Sequence, residues 1–353
     1  MHQSPRNSGP RGLPTCAGAG SPCSRGLEGG RGLERHALLS FTTVKPYLIV
    51  NPRSAAGRTG RHFDRIARAV RSAVGEFECA FTKEPGDGVR LARDAVRSGG
   101  ALVVAVGGDG TASEVIDGLA AAHPRDPDPL FGFIPRGTGG DLRRTLGIPE
   151  DLEGAVRSLA GRRELVCDLG RIEFSAHDGT AQVRHFANVA GFGLAGVVAG
   201  EVNRGLKLGD GRLSFMVASA KALLAWSDRP VRWRVDGGPW SEARITSFSV
   251  CNGRFFGGGM QVAPDARVDD GLFDVVIWSG IGLLDFITKK RMLYDGTHVT
   301  LPNTRVLRAR TVEAEAAPGA SLLLDVDGEQ PGTLPARFTI LPGALRVRVG
   351  EGA

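Results

Sequence analysis

The chain has 353 residues, a formal net charge of +6, a hydrophobic content of 42% and 51 glycines. That length suits about two domains, and no uncharged apolar run reaches the roughly 18 residues of a membrane-spanning helix. Collagen is excluded because glycine does not recur at every third position, and nucleic acid is not an expected partner because no dense basic stripe is present.

The five cysteines (Cys16, Cys23, Cys79, Cys167 and Cys251) form no C-x-x-C pair. An odd, scattered set is neither a disulfide framework nor a zinc site, and it fits a reducing, cytoplasmic setting. The first 43 residues are rich in Gly, Pro, Ser and Arg without periodicity, which predicts a disordered tail. They contribute five Arg against two Glu, or +3 of the +6. The basic balance also fits attraction to phosphate ligands or an anionic membrane surface.

Regular alternation begins at Pro46. Tyr47 to Val50 reads as a short buried strand, and Phe63, Ile66, Ala67, Val70 and Val74 follow at helical spacing. Phe77 to Thr82 reads as a second strand, 88–98 as a helix, and Ala101 to Val106 as an all-apolar third strand of the kind buried on both faces. A helix over 111–122, a strand over Leu130 to Ile134, and helices near 141–146 and 150–160 complete a β-α-β-α order. This predicts an α/β fold with a doubly wound parallel sheet over 44–165. After Leu165 the texture becomes short alternating runs at 182–190, 231–235, 244–251, 273–278, 305–309, 321–326 and 345–349. With helices near 212–226 and 283–294, these predict a C-terminal antiparallel β-sandwich over 166–353.

Chemistry concentrates at strand ends. Gly107-Gly108-Asp109-Gly110-Thr111 follows the third strand directly. Its glycines permit a tight turn against a ligand, and Thr111 with Glu114 reads as a capping box opening a helix. That edge of an open α/β sheet is where phosphate ligands bind, and Asp109 in such a loop points to Mg²⁺-assisted nucleotide chemistry. A second glycine loop, Arg136-Gly137-Thr138-Gly139-Gly140-Asp141, follows the next strand. There Asp141 is placed to cap the next helix, and Arg136 to grip a phosphate. Asn51-Pro52-Arg53-Ser54 to Arg58 ends the first strand at the same edge. Carboxylates cluster again at Asp269-Asp270-Gly271-Leu272 and at Asp325-Val326-Asp327-Gly328-Glu329, the latter after the apolar Leu322 to Leu324. Such turns hold a hard cation, supply a base, or are plainly solvated.

Taken in order, Asn51-Pro52 to Gly57, Gly107 to Thr111, Gly137-Thr138-Gly139 with Asp141, Asp269 to Asp274, and Asp327-Gly328-Glu329 resemble the diacylglycerol kinase / sphingosine kinase superfamily. The likeness is greatest to its soluble bacterial diacylglycerol-kinase-like branch, and it spans about residues 45–350. The resemblance implies ATP bound with Mg²⁺ between a nucleotide domain and a β-sandwich lipid domain, and transfer of the γ-phosphoryl group to a lipid hydroxyl, with diacylglycerol the first expectation. It implies that Asn51, Arg58, Gly107, Gly108, Gly110, Thr111, Gly137, Thr138 and Gly139 line the nucleotide site. Asp327 would be the base, with Glu329 beside it. Asp109 and Asp141 would join the Mg²⁺ and water network, and Asp269, Asp270 and the Leu272 carbonyl would match a structural Mg²⁺ region. Partners would be a lipid substrate, met by peripheral contact with a membrane, and a second copy in a homodimer paired through exposed sheet edges. Departures are Gly140, where the family usually has Asn, and Ser113 and Asp117, where Asn is common. Gly-Gly-Asp-Gly-Thr by itself is shared with NAD kinases, so a soluble-substrate kinase is the alternative, and Gly140 motivates a non-catalytic nucleotide-binding regulator.

Overall fold

A computed structural model describes residues 45–122, 129–204 and 211–350. The expected disordered tail at 1–43 lies outside the described residues.

The first half alternates strands and helices: β1 (Tyr47–Val50), α1 (Arg58–Arg61), α2 (Phe63–Val74), β2 (Glu78–Phe81), α3 (Asp87–Arg97), β3 (Leu102–Gly107), α4 (Asp109–Ala122), β4 (Leu130–Pro135), α5 (Asp141–Thr145) and α6 (Leu152–Ala160). The strands pair in parallel in the order β2-β1-β3-β4. Successive side chains point to opposite faces. Leu48, Val50, Val104 and Val106 therefore pack on α2 and α6, while Ile49, Val103 and Ala105 pack on α3 and α4. Both faces are covered, which is why every residue of β3 is buried and its sequence is apolar throughout.

The second half holds β5 (Glu164–Ala176), β6 (Ala181–Phe186), β7 (Val189–Gly193), α7 (Leu194–Arg204), α8 (Gly211–Ala225), β8 (Arg229–Val235), β9 (Ser241–Ile245), β10 (Ser247–Cys251), β11 (Phe255–Phe256) and β12 (Met260–Gln261). It continues with β13 (Phe273–Trp278), α9 (Leu283–Asp295), β14 (Thr304–Ala309), β15 (Thr311–Ala316), β16 (Leu324–Val326) and β17 (Gly332–Arg348). An antiparallel sheet in the order β14-β13-β10-β7-β16 faces the strands β5, β17, β15 and β8. Phe186, Phe192, Phe248, Phe338 and Trp233 fill the space between the layers, with the Phe192 and Phe248 rings stacked at 4.6 Å. This is the sandwich that the alternating runs predict.

The two halves share strands. β17 pairs antiparallel with β5 along most of its length, and at Arg346 and Val347 it joins β4 in parallel. The end of the chain thus extends the N-terminal sheet, and the Asp327 turn just before β17 is held close to that sheet.

Candidate active site

β1 lies between β2 and β3, so the chain leaves the ends of β1 and β3 in opposite directions. Such a reversal opens a crevice at the carboxyl edge of a parallel sheet. Three loops meet there. Asn51, just after β1, donates through Nδ2 to Thr111 Oγ1 at 3.1 Å, and its Oδ1 accepts from the Arg53 amide at 3.0 Å. Arg58 is exposed at the far end of that loop, where its Nε donates to the Ala55 carbonyl at 3.1 Å. The loops after β3 and β4 touch through backbone, since a Cβ on Gly137 would lie 2.6 Å from Gly108 Cα; within the first loop, one on Gly107 would lie 2.4 Å from the side-chain Oγ1 of Thr111.

The capping box expected of Thr111 and Glu114 is not formed. The Gly108 carbonyl already accepts from the Ala112 amide at 3.1 Å, so α4 begins at Asp109 and Thr111 lies inside it. Glu114 instead accepts from the Gly86 and Gly88 amides at 2.9 and 2.8 Å, at the start of α3, and burial raises its carboxyl pKa. Asp141 does not cap α5 either. Asp109 reaches across and accepts from the amides of Gly140, Asp141 and Leu142 at 2.7, 3.2 and 3.3 Å. A carboxylate there meets the unsatisfied N–H groups and positive end of the helix. Asp141 accepts from the Gly258 amide at 2.8 Å, from Gly259, and from Arg144 at 3.1 Å, so it ties α5 to the β11–β12 hairpin. Burial raises its pKa as well.

Beside these loops lies a polar cleft lined by Gly108, Asp109, Gly137, Thr138, Gly139, Arg143, Arg144 and Glu150, with Arg143 paired to Glu150 and Arg144 to Asp141. Backbone at close approach and two guanidinium groups match a chain of phosphates. Arg136 adds a buried Nε with no hydrogen-bond partner.

The Asp327-Gly328 pair closes a two-residue turn between Val326 and Glu329, whose backbones exchange hydrogen bonds of 2.8 and 3.0 Å. Both residues have positive φ, 48° and 87°, the geometry that favours Asp-Gly in a tight hairpin. The turn aims the Asp327 carboxylate at α4 and β7. It accepts from Ser113 Oγ at 3.1 Å and from the amides of Ala187, Asn188 and Val189 at 3.2, 3.2 and 3.0 Å. Burial pushes its pKa up to about 6, and these four donors pull the other way. Glu329 pairs with Arg184 at 2.8 Å, and its Oε1 lies 3.7 Å from where a Gly110 Cβ would sit. One turn from the second half therefore stands directly over the glycine loop of the first.

A separate apolar cavity is lined among others by Leu194, Phe215, Leu223, Trp278, Phe286 and Leu293. Asp325 also lines it. Asp325 stands in β16 two residues before Asp327, and the left-handed φ of Asp327 turns its own carboxylate toward α4 and β7 instead. Burial, reinforced by Asp327 and Glu329, pushes the Asp325 carboxyl up to about 7.

Asp269, Asp270 and Leu272 lie away from both spaces, in the turn before β13. Asp269 pairs with Arg267 at 3.2 Å, Asp270 pairs with Arg308, and Asp270 also accepts from the Leu272 amide at 3.1 Å. The guanidinium groups of Arg267 and Arg308 thus face the two carboxylates of this turn. Among the described residues, no three His, Cys, Asp or Glu side chains are arranged to hold an ion.

Sequence reading missed Arg184 and Asn188. Arg184 lies between Glu329 and Asp117, 3.9 Å from the latter. Asn188 accepts from Thr145 at 2.8 Å and donates to the Phe255 carbonyl at 2.5 Å, joining α5 to the second half. No local pattern marks either one.

A sequence-family profile described as "Diacylglycerol kinase catalytic domain" matches residues 45–172, and one described as "YegS C-terminal NAD kinase beta sandwich-like domain" matches 188–349. A diacylglycerol kinase of Bacillus subtilis (strain 168) is 30% identical over 295 residues, covering 83% of this chain and 92% of that one. A YegS-like lipid kinase of Stenotrophomonas maltophilia (strain K279a) is 31% identical over 317 residues, covering 88% and 98%. The fold also matches a crystal structure of a diacylglycerol kinase-like protein from Bacillus anthracis str. Sterne, with a TM-score of 0.68, 25% identity, and coverage of 88% and 98%.

Proposed function

Since the chain belongs to the diacylglycerol kinase family of lipid kinases that includes the YegS-like proteins, we propose that it transfers the γ-phosphoryl group of Mg·ATP to the primary hydroxyl of diacylglycerol. Residues 44–165 would bind the nucleotide and 166–353 the lipid. The observation that carries this reading is that the Asp327 turn stands over the glycine loop bordering the polar cleft, while Asp325, two residues earlier, lines the apolar cavity.

Kinase family membership brings ATP as co-substrate. The phosphates fit the cleft, where loop amides, Arg143 and Arg144 offset their charge. Mg²⁺ fits as an ion carried in on the phosphates, because Asp109 and Asp141 already accept hydrogen bonds from amide donors. Bound there, it would neutralise charge on the transferring group. The acyl chains match the apolar lining of the cavity, which Leu194, Phe215, Leu223, Trp278, Phe286 and Leu293 supply.

Asp327 then accepts the hydroxyl proton as the lipid oxygen bonds to the γ-phosphorus and the bond to the β-phosphate oxygen breaks, releasing ADP. Ser113 and the three amides hold the carboxylate in place, and a pKa of about 6 leaves it mostly ionised at neutral pH while keeping it basic enough for the task. Phosphoryl transfer needs positioning and charge neutralisation more than covalent chemistry, and these loops supply both. Among the described residues no helix is long and apolar enough to cross a membrane, so the acceptor would be reached by peripheral contact. Incubating the full chain with Mg·ATP and mixed micelles of diacylglycerol, monoacylglycerol or sphingosine, with NAD in micelle-free buffer, tests the reading. Phosphatidic acid formation is expected, and label on NAD alone would overturn it.

A further inference from the structure

The two helices α8 and α9, which help wall the apolar cavity, also carry large aliphatic side chains on the faces turned away from it. α9 has no buried residue at all. Phe286 and Leu293 turn into the cavity. Leu284 and Ile287 are 75% and 55% exposed. At ~100° per residue, Leu284, Ile287 and Arg291 share one face, roughly opposite Phe286. α8 repeats the arrangement. Phe215 and Leu223 line the cavity, while Val217, Lys221 and Leu224 share the outward face, with Val217 and Leu224 at 52% and 73% exposed. The two helices pack together. They hold four of the eight large exposed aliphatic or aromatic side chains among the described residues, so the clustering is not random scatter.

We propose that the outward faces of α8 and α9 form the surface by which the protein lies on an anionic bilayer, with the cavity between these helices and the sandwich opening toward the lipid. The proposal rests on the lipid-kinase reading above. Charge selects the occupant. Lys290 and Arg291 are exposed on the last turns of α9 beside Ile287, and Lys221 stands between Val217 and Leu224 on α8, where Glu201 partners it. Aliphatic side chains flanked by Lys and Arg are the pattern of a helix lying in the interfacial plane, where apolar burial and attraction to anionic headgroups add. A water-insoluble acceptor also leaves a bilayer at lower cost if the cavity mouth is pressed against it.

The test uses the full chain and vesicles of phosphatidylcholine with about one third phosphatidylglycerol. The Leu284→Gln/Ile287→Gln double variant should bind these vesicles at least about tenfold more weakly than the parent, since two exposed aliphatics no longer enter the interface. Lys290→Gln/Arg291→Gln should weaken binding to the anionic vesicles and leave the residual binding less sensitive to salt. Val183→Gln, an exposed valine on β6, should bind like the parent. Phosphorylation of monomeric dihexanoylglycerol should be unchanged in the double variant, which separates docking from chemistry and from misfolding. Equal vesicle binding by parent and double variant would overturn the proposal. So would a parent that ignores vesicles but forms a dimer which the double variant loses, because the face would then be a contact between copies. A parent that binds vesicles but phosphorylates neither long- nor short-chain diacylglycerol would overturn the lipid-kinase reading and leave the docking surface standing.

Discussion

Replacing Gly137 with Ala tests the idea that the two glycine loops form one phosphate site. The added Cβ would sit 2.6 Å from Gly108 Cα, where ordinary contact begins at 3.4 Å. The loops would have to part by about 0.8 Å, and both partners are backbone, so no side chain can swing aside. Overpacking of this kind costs about 1–3 kcal/mol. If the strain is relieved by widening the cleft, nucleotide affinity should fall about 5- to 150-fold. Titration with a fluorescent ATP analogue reads this directly, with the melting temperature measured alongside. Gly110→Ala is the matched comparison. Its Cβ would lie 3.7 Å from Glu329, within ordinary contact, and Ala is favoured over Gly inside a helix by about 1 kcal/mol. Gly110→Ala should therefore keep its fold and melt no lower than the parent. Parental nucleotide affinity in Gly137→Ala would refute the reasoning.

Three further outcomes are expected. With Asp327 as base, kcat/KM should fall as pH drops through about 6, because protonation removes the acceptor; a profile flat from about pH 5 to about pH 8 would count against the assignment. Asp325 has a folded-state pKa raised to about 7 from an ordinary 3.8, so its contribution favours folding below about 4 and is lost as pH rises toward 7; Asp325→Asn should therefore gain stability relative to the parent between those pH values in thermal melts, and a constant difference across that range would contradict the shift. Arg184→Gln leaves Glu329 and Asp117 without their shared cation; because Glu329 is about a third exposed, the cost should be a solvent-discounted ~1–3 kcal/mol in urea unfolding, together with lower kcat.

How much was legible in sequence follows from how local each feature is. β3 and its glycine loop are contiguous, and a strand covered on both faces declares itself by an unbroken apolar run. The Asp-Gly-Glu turn is also contiguous, so its residues could be read even though their partners could not. Ser113, Arg184 and Asn188 matter because folding brings α4, β6 and the start of β7 around Asp327 and Glu329, and no spacing in the chain encodes that meeting. β17 was legible only at its end because register shifts between Thr333 and Ala336 and between Leu341 and Leu345 break the phase of its alternation. β5 and β15 were likewise not read as strands; in β15 small alanines stand at the inward positions Ala314 and Ala316. α7 was not read as a helix; in the fold a Cβ on Gly196 would lie 2.2 Å from the Leu323 carbonyl, so glycine there permits close packing beside β16. The capping-box reading of Thr111 failed because a helix hydrogen bond from Ala112 to Gly108 starts the helix earlier than the side-chain pattern indicates.

The central claim is that Asp327 joins a nucleotide cleft to a lipid cavity. The most direct test is transfer of labelled γ-phosphate from Mg·ATP to diacylglycerol in mixed micelles, with Asp327→Asn beside the parent and nucleotide affinity measured for both. Labelled phosphatidic acid from the parent, a loss of at least about 100-fold in the variant, and unchanged nucleotide affinity are expected. Full turnover by Asp327→Asn, or label that appears only on a soluble acceptor, would contradict it.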